Sequence, residues 1–158
     1  MSQNYNLIGL DRKQSETLAQ DLNVLLAHYQ VMYSNARGFH WNIQGRAFFE
    51  LHVKFEEIYT DLQMKVDEIA ERILTLGYAP EHRFSQYLQL SDIDEHPYET
   101  DGIASVQSLV NGFSKLIILQ RRILSEAGEA GDEGTASQMG DYIREQEKLV
   151  WMLNAYLQ

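Results

Sequence analysis

The chain contains no cysteine. Disulfide staples and thiolate metal sites are therefore excluded, and any bound metal must be held by His, Asp and Glu. The absence also suits a reducing compartment, and a cytoplasmic location is expected. Proline is scarce, with two in 158 residues, so long helices can run without interior breakers. Basic residues are few: thirteen Lys and Arg stand against twenty-three Asp and Glu, a formal net charge of −10. Such a chain repels nucleic-acid phosphate and anionic lipid while gathering cations. No apolar run approaches the roughly 20 residues of a membrane span. The start, Met1 to Gly9, has neither the basic stretch nor the apolar core of a secretory signal. No membrane association is expected.

Helical periodicity dominates what is present, and sustained strand alternation is missing. The length suits one domain, residues 1–158. The first helix is predicted from about Asp11 to Arg37, with Leu18, Leu22, Leu25, Leu26, Tyr29, Met32 and Tyr33 on its apolar stripe and Gly38 as its end. The second runs from about Arg46 to Leu76, closed by Gly77 with Pro80 beyond. The connection from Tyr78 to Glu99 is far longer than antiparallel neighbours need, so it should cross the length of a bundle. A short helix is expected inside it, from Phe84 to Leu90. The third helix runs from about Asp101 to Ala127. The acidic, glycine-rich link Gly128 to Gly134 follows, then a fourth helix from about Thr135 to Leu157. This is an all-α pattern: a four-helix bundle with one long crossover between helices two and three.

The second helix carries His52 with Glu56 and Asp67 with Glu71, each pair spaced i, i+4 and so on one face. An imidazole with a carboxylate, or two carboxylates, forms part of a site for Fe, Mn or Zn. Such pairs are commonly solvated helix surface, so neither pair alone is specific. His52 and Asp67 lie fifteen residues apart, roughly 22 Å along the axis. One helix cannot bring both pairs to one metal; there are two half-sites, or another chain completes each. A two-fold axis across the helix would set the His52–Glu56 end of one chain against the Asp67–Glu71 end of the next, giving two identical sites per dimer. His40, near the end of the first helix, would add a second imidazole. Bundles that build a diiron site within one chain use Glu-x-x-His pairs on two helices, and this sequence has no Glu-x-x-His.

The run Phe39-His40-Trp41-Asn42-Ile43-Gln44-Gly45-Arg46-Ala47-Phe48-Phe49-Glu50-Leu51-His52, continuing through Glu56 to Asp67-Glu68-Ile69-Ala70-Glu71-Arg72, resembles the Dps family of mini-ferritins. The likeness extends over nearly the whole chain, including Gly131 to Ala136 and Trp151 to Leu153. The resemblance implies a ferritin-like bundle assembled as a hollow dodecamer that oxidises Fe(II), preferably with hydrogen peroxide, and stores the ferric product. It implies His40, His52 and Glu56 as ligands from one subunit, and Asp67 and Glu71 as ligands from the two-fold partner. Zn and Mn are possible surrogates for iron on the same donors. Trp41 matches a family tryptophan beside the site, a possible electron donor to stray oxidant, with plain packing as the alternative.

The resemblance also implies an acidic three-fold pore, for which Glu126, Glu129, Asp132 and Glu133 are candidates. Ser137 departs from the family there, and a solvated acidic turn is the alternative. His28 departs too, being displaced by two positions from the family histidine, and it is expected to make a surface or interface hydrogen bond. His82 and His96 read as exposed loop residues. With few basic residues before the first helix, direct DNA binding is not expected. A DNA-binding protective shell with secondary iron chemistry is the alternative function.

Overall fold

The computed structural model describes residues 4–158, which form α1 (Arg12–Asn42), α2 (Phe48–Thr75), α3 (Phe84–Leu90), α4 (Gly102–Glu129) and α5 (Glu133–Tyr156). Among the described residues there is no strand, only a lone bridge between Tyr5 and Asp11. α1 pairs with α2 and α4 with α5; contact between α1 and α4 joins the pairs, and α3 lies against α1. The short helix thus falls where the sequence placed it, in the crossover.

Local chemistry sets the ends. Asp11, Asp101 and Asp132 each accept the backbone N–H three residues on, capping α1, α4 and α5. Gly77, at φ +97°, closes α2, and Tyr78 N–H returns to the Ile73 carbonyl at 3.1 Å. Two asparagines of α1 pin the crossover by both amide groups. Asn23 donates to the Ala79 carbonyl and accepts from Glu81 N–H; Asn35 donates to the Asp94 carbonyl and accepts from His96 N–H.

Gly38 does not end the first helix. α1 continues through Asn42 because Phe39 and Ile43 are buried, and burying those side chains outweighs the roughly 1 kcal/mol that an interior glycine costs. α4 corrects a second expectation. A stretch of it reaches a mean hydropathy of 1.3, apolar and long enough by composition for a bilayer. Its Val106, Leu109, Phe113, Leu116 and Ile123 are core residues of the bundle, whereas Ile103 and Ile118 are exposed.

The core holds one polar layer. Tyr29 donates to Gln120, Gln120 to Gln146, and Gln146 back to Tyr29, a closed ring linking α1, α4 and α5. A closed ring leaves few polar atoms unpaired, which makes burying it tolerable.

Candidate metal centre

The extension of α1 matters because it carries His40. The turn 43–47 reverses the chain and sets the first turns of α2 beside the last turn of α1. His40 and His52 then stack, ring centroids 3.8 Å apart and 16° from parallel. His40 Nδ1 lies 2.6 Å from the His52 carbonyl, and His52 Nδ1 lies 2.8 Å from the His40 carbonyl. A carbonyl only accepts, so both Nδ1 atoms carry the proton. In the neutral rings both Nε2 atoms therefore present a lone pair. This reciprocal lock fixes tautomer and ring orientation, the usual preparation of a metal-binding imidazole. Phe48 stacks on His52 at 4.9 Å, and Tyr59 meets His40 edge-on at 5.3 Å.

The carboxylates are not gathered in the same way. Glu56, Asp67 and Glu71 are all exposed on α2. Among the described residues no group of three His, Asp or Glu side chains comes within reach of one metal. One chain brings His40 and His52 together, has Glu56 one turn from His52, and leaves Asp67 and Glu71 some four turns further along α2. Phe49, Val53 and Met64 share that exposed helix with the acids. Large apolar groups interleaved with carboxylates on an open face are characteristic of a protein contact surface.

Other predicted residues fall elsewhere. Trp41 is 63% exposed, and its ring packs on the Arg37 guanidinium at 4.7 Å. His28 is not at the surface: it is buried beneath the crossover, Nδ1 donating to the Val24 carbonyl and Nε2 accepting from Asp92 N–H. Burial pushes its pKa down, outweighing the Val24 carbonyl and Asp92. His82 is exposed, whereas His96 is half-buried against Phe39. Of the acidic link, Glu129 and Glu133 are exposed. Asp132 is buried, capping α5 and holding Arg72 at 2.6 Å.

Two features had little sequence signal. Lys65, on the buried face of α2, places its ammonium 2.6 Å from Asp61 and 2.8 Å from Glu145. Burial pushes that amine down, and hydrogen bonds to the two carboxylates more than reverse it, so it stays charged. Tyr59 lies seven residues after His52, two turns on, and helical spacing alone does not distinguish its contact with His40 from ordinary packing.

Residues 19–158 match the ferritin-like domain family. A Dps protein from Vibrio cholerae, a member of a broad superfamily of ferritin-like diiron-carboxylate proteins, is 64% identical in sequence; the two superpose with a TM-score of 0.97, covering 100% of this chain and 99% of that one. The chain belongs to the Dps family. A DNA protection during starvation protein from Porphyromonas gingivalis is 44% identical over 94% of this chain and 93% of its own length. A Haemophilus influenzae protein is 57% identical over 96% of this chain and 94% of its own length. The Dps fold is thus ferritin-like, all-α, with its short helix in the crossover.

Proposed function

We propose that this Dps protein is a ferroxidase that takes Fe(II) as substrate, oxidises it with hydrogen peroxide in preference to dioxygen, and stores the ferric product in a hollow homo-oligomer, a dodecamer, protecting the cell from oxidative damage. The observation that carries this reading is the locked His40–His52 pair, with two Nε2 lone pairs beside an exposed carboxylate-bearing helix face. Each site takes His40, His52 and Glu56 from one chain and Asp67 and Glu71 of the partner subunit. Residues 1–158 act as one ferritin-like unit.

The division of labour follows from ligand chemistry. Neutral imidazoles hold Fe(II) without adding charge, so occupancy is weak and exchangeable. Carboxylates offset the rising charge and favour Fe(III). One peroxide accepts two electrons, one from each of two Fe(II), and is reduced to water, so no hydroxyl radical is released. Zn or Mn can occupy the same donors as redox-inert or slower surrogates. Glu129 and Glu133 supply negative potential for iron entry, with Glu126 pushed up to about 7 by Asp21 and burial and Asp132 committed to its helix cap and Arg72. Trp41, next to a ligand in sequence, is the exposed aromatic available to stray oxidant. The protein is placed in the cytoplasm, and the surplus of acids disfavours a role as a DNA-binding shell.

Anaerobic protein loaded with Fe(II) is expected to form Fe(III) rapidly when mixed with peroxide in a stopped-flow absorbance experiment. His52→Ala and Asp67→Ala should each slow that phase by about tenfold or more, with helical circular dichroism unchanged. Variants that oxidise iron as fast as the parent would refute the site.

A further inference from the structure

The polar layer of the core draws on all four long helices. Tyr29 of α1, Gln120 of α4 and Gln146 of α5 close the hydrogen-bonded ring. Beside it, the Tyr142 ring lies 6.1 Å from the Tyr29 ring, and the Lys65 ammonium of α2 stands 5.2 Å from the Tyr142 centroid. Lys65 is 3% exposed. Asp61, one turn earlier on α2, and Glu145, on α5, both aim a carboxylate oxygen at that ammonium, at 2.6 and 2.8 Å. Their outer sides reach solvent, with side-chain exposures of 44% and 52%. Among the described residues neither carboxylate has another ion-pair partner.

We infer that the Lys65 ammonium occupies a divalent-cation site inside the single chain, and that this lysine closes the bundle to metal and leaves iron to the centre shared between chains. The occupancy stands without the ferroxidase reading; its consequence for iron rests on that reading. Bundles that hold a metal within one chain turn carboxylates inward from several helices. Here carboxylates from two helices converge on one shielded point, and the cation they meet there belongs to the chain. Two carboxylates partly withdrawn from water need positive charge at contact distance. The ammonium supplies it and, being tethered, is present at a high effective concentration against any ion in solution. A metal cannot share the point, because two cations at that separation repel.

The donor chemistry names the ion. Carboxylates completed by water suit small divalent cations such as Mg(II) and Mn(II), which keep several waters and bind through one or two carboxylates. Lys65→Ala removes the charge and clears the length of the side-chain stem, so the carboxylates face a space that a hydrated ion can enter from the exposed side. Lys65→Met removes the same charge but leaves the stem volume filled. An ordinary structural ion pair gives a different pattern: both substitutions lose stability by stranding the two carboxylates, and neither gains a metal.

The test is a Mn(II) titration of the assembled protein, with free Mn(II) counted by its electron paramagnetic resonance signal. Lys65→Ala is expected to bind about one more Mn(II) per chain than the parent. Lys65→Met should bind as the parent does. The added equivalent should vanish when Asp61→Asn or Glu145→Gln is combined with Lys65→Ala. Without metal, the thermal midpoint of Lys65→Ala should fall below the parent's, and Mn(II) should raise it by more than it raises the parent's. Lys65→Ser serves if Lys65→Ala does not fold, and failure of both to fold even with millimolar Mn(II) overturns the inference. An unchanged Mn(II) count in Lys65→Ala overturns it. So does equal gain in Lys65→Met, which would place the ion on surface carboxylates, and so does a gain that survives Asp61→Asn and Glu145→Gln. The ferroxidase reading stands or falls separately, on iron oxidation by His52→Ala and Asp67→Ala.

Discussion

At the scale of single residues, a side chain's neighbours decide whether it is a ligand, a staple or a solvated charge. His40 and His28 are both buried histidines of α1. His40 keeps its Nε2 free of the lock, whereas both ring nitrogens of His28 are engaged, one by Val24 and the other by Asp92 N–H. Glu126 shows the same dependence among the acids. A proton shared with Asp21, reinforced by burial, draws it from 4.5 to about 7. A folded-state value above the unfolded one means a contribution to stability that is fully present below the unfolded value. It is lost as pH rises through the folded value. Chemical denaturation of the parent should therefore show stability falling between about pH 5 and about pH 8. Glu126→Gln, which cannot ionise, should flatten that fall. Equal pH dependence in both proteins would count against the shared proton.

At the scale of elements, α1 and α4 meet closely at Gly112. Gly112 is buried on α4, and a Cβ added there would fall on the Sδ and Cε of Met32. Met32 is itself only 1% exposed, so its side chain must repack inside the core to make room. Overpacking of this kind costs about 1–3 kcal/mol, against about 1 kcal/mol gained in helix propensity. Gly112→Ala should lower the thermal midpoint. Gly128→Ala, in the same helix with nothing within 4 Å of an added Cβ, should leave it unchanged or raise it. A Gly112→Ala protein as stable as Gly128→Ala would mean that the two helices separate easily. The end of α1 was the element misread from sequence. Gly38 is a strong local stop signal, and only the burial of Phe39 and Ile43 against other helices overrides it.

At the scale of the whole molecule, sharing sites across a two-fold axis has a consequence that no single-chain site has. In a dimer of one His52→Ala chain with one Asp67→Ala chain, one site carries both lesions and the other carries neither. Dissociating and reassembling an equal mixture makes half of the dimers mixed, so about a quarter of the parent's fast sites should return. Two inactive variants that stay inactive on mixing would exclude the shared site. The net charge of −10 per chain is multiplied in any homo-oligomer. No retarded DNA band is expected at about 150 mM salt without added divalent metal, and a band there would favour the DNA-binding alternative.

Sequence by itself determined the periodic information: an all-α bundle, a long crossover with a short helix from Phe84 to Leu90, and two i, i+4 pairs too far apart on α2 for one metal. These follow from a fixed helical rise and from apolar stripes that must be buried, both local properties of the chain. Contacts between distant segments were decided only in three dimensions. The reciprocal lock of His40 and His52 needs α1 to run past Gly38. The crossover needs Asn23, His28 and Asn35 as fasteners, and the acidic link gives Asp132 to α5 and Arg72. Lys65, Tyr59 and Arg37 look ordinary in sequence, because their chemistry depends on partners that neither period nor propensity specifies.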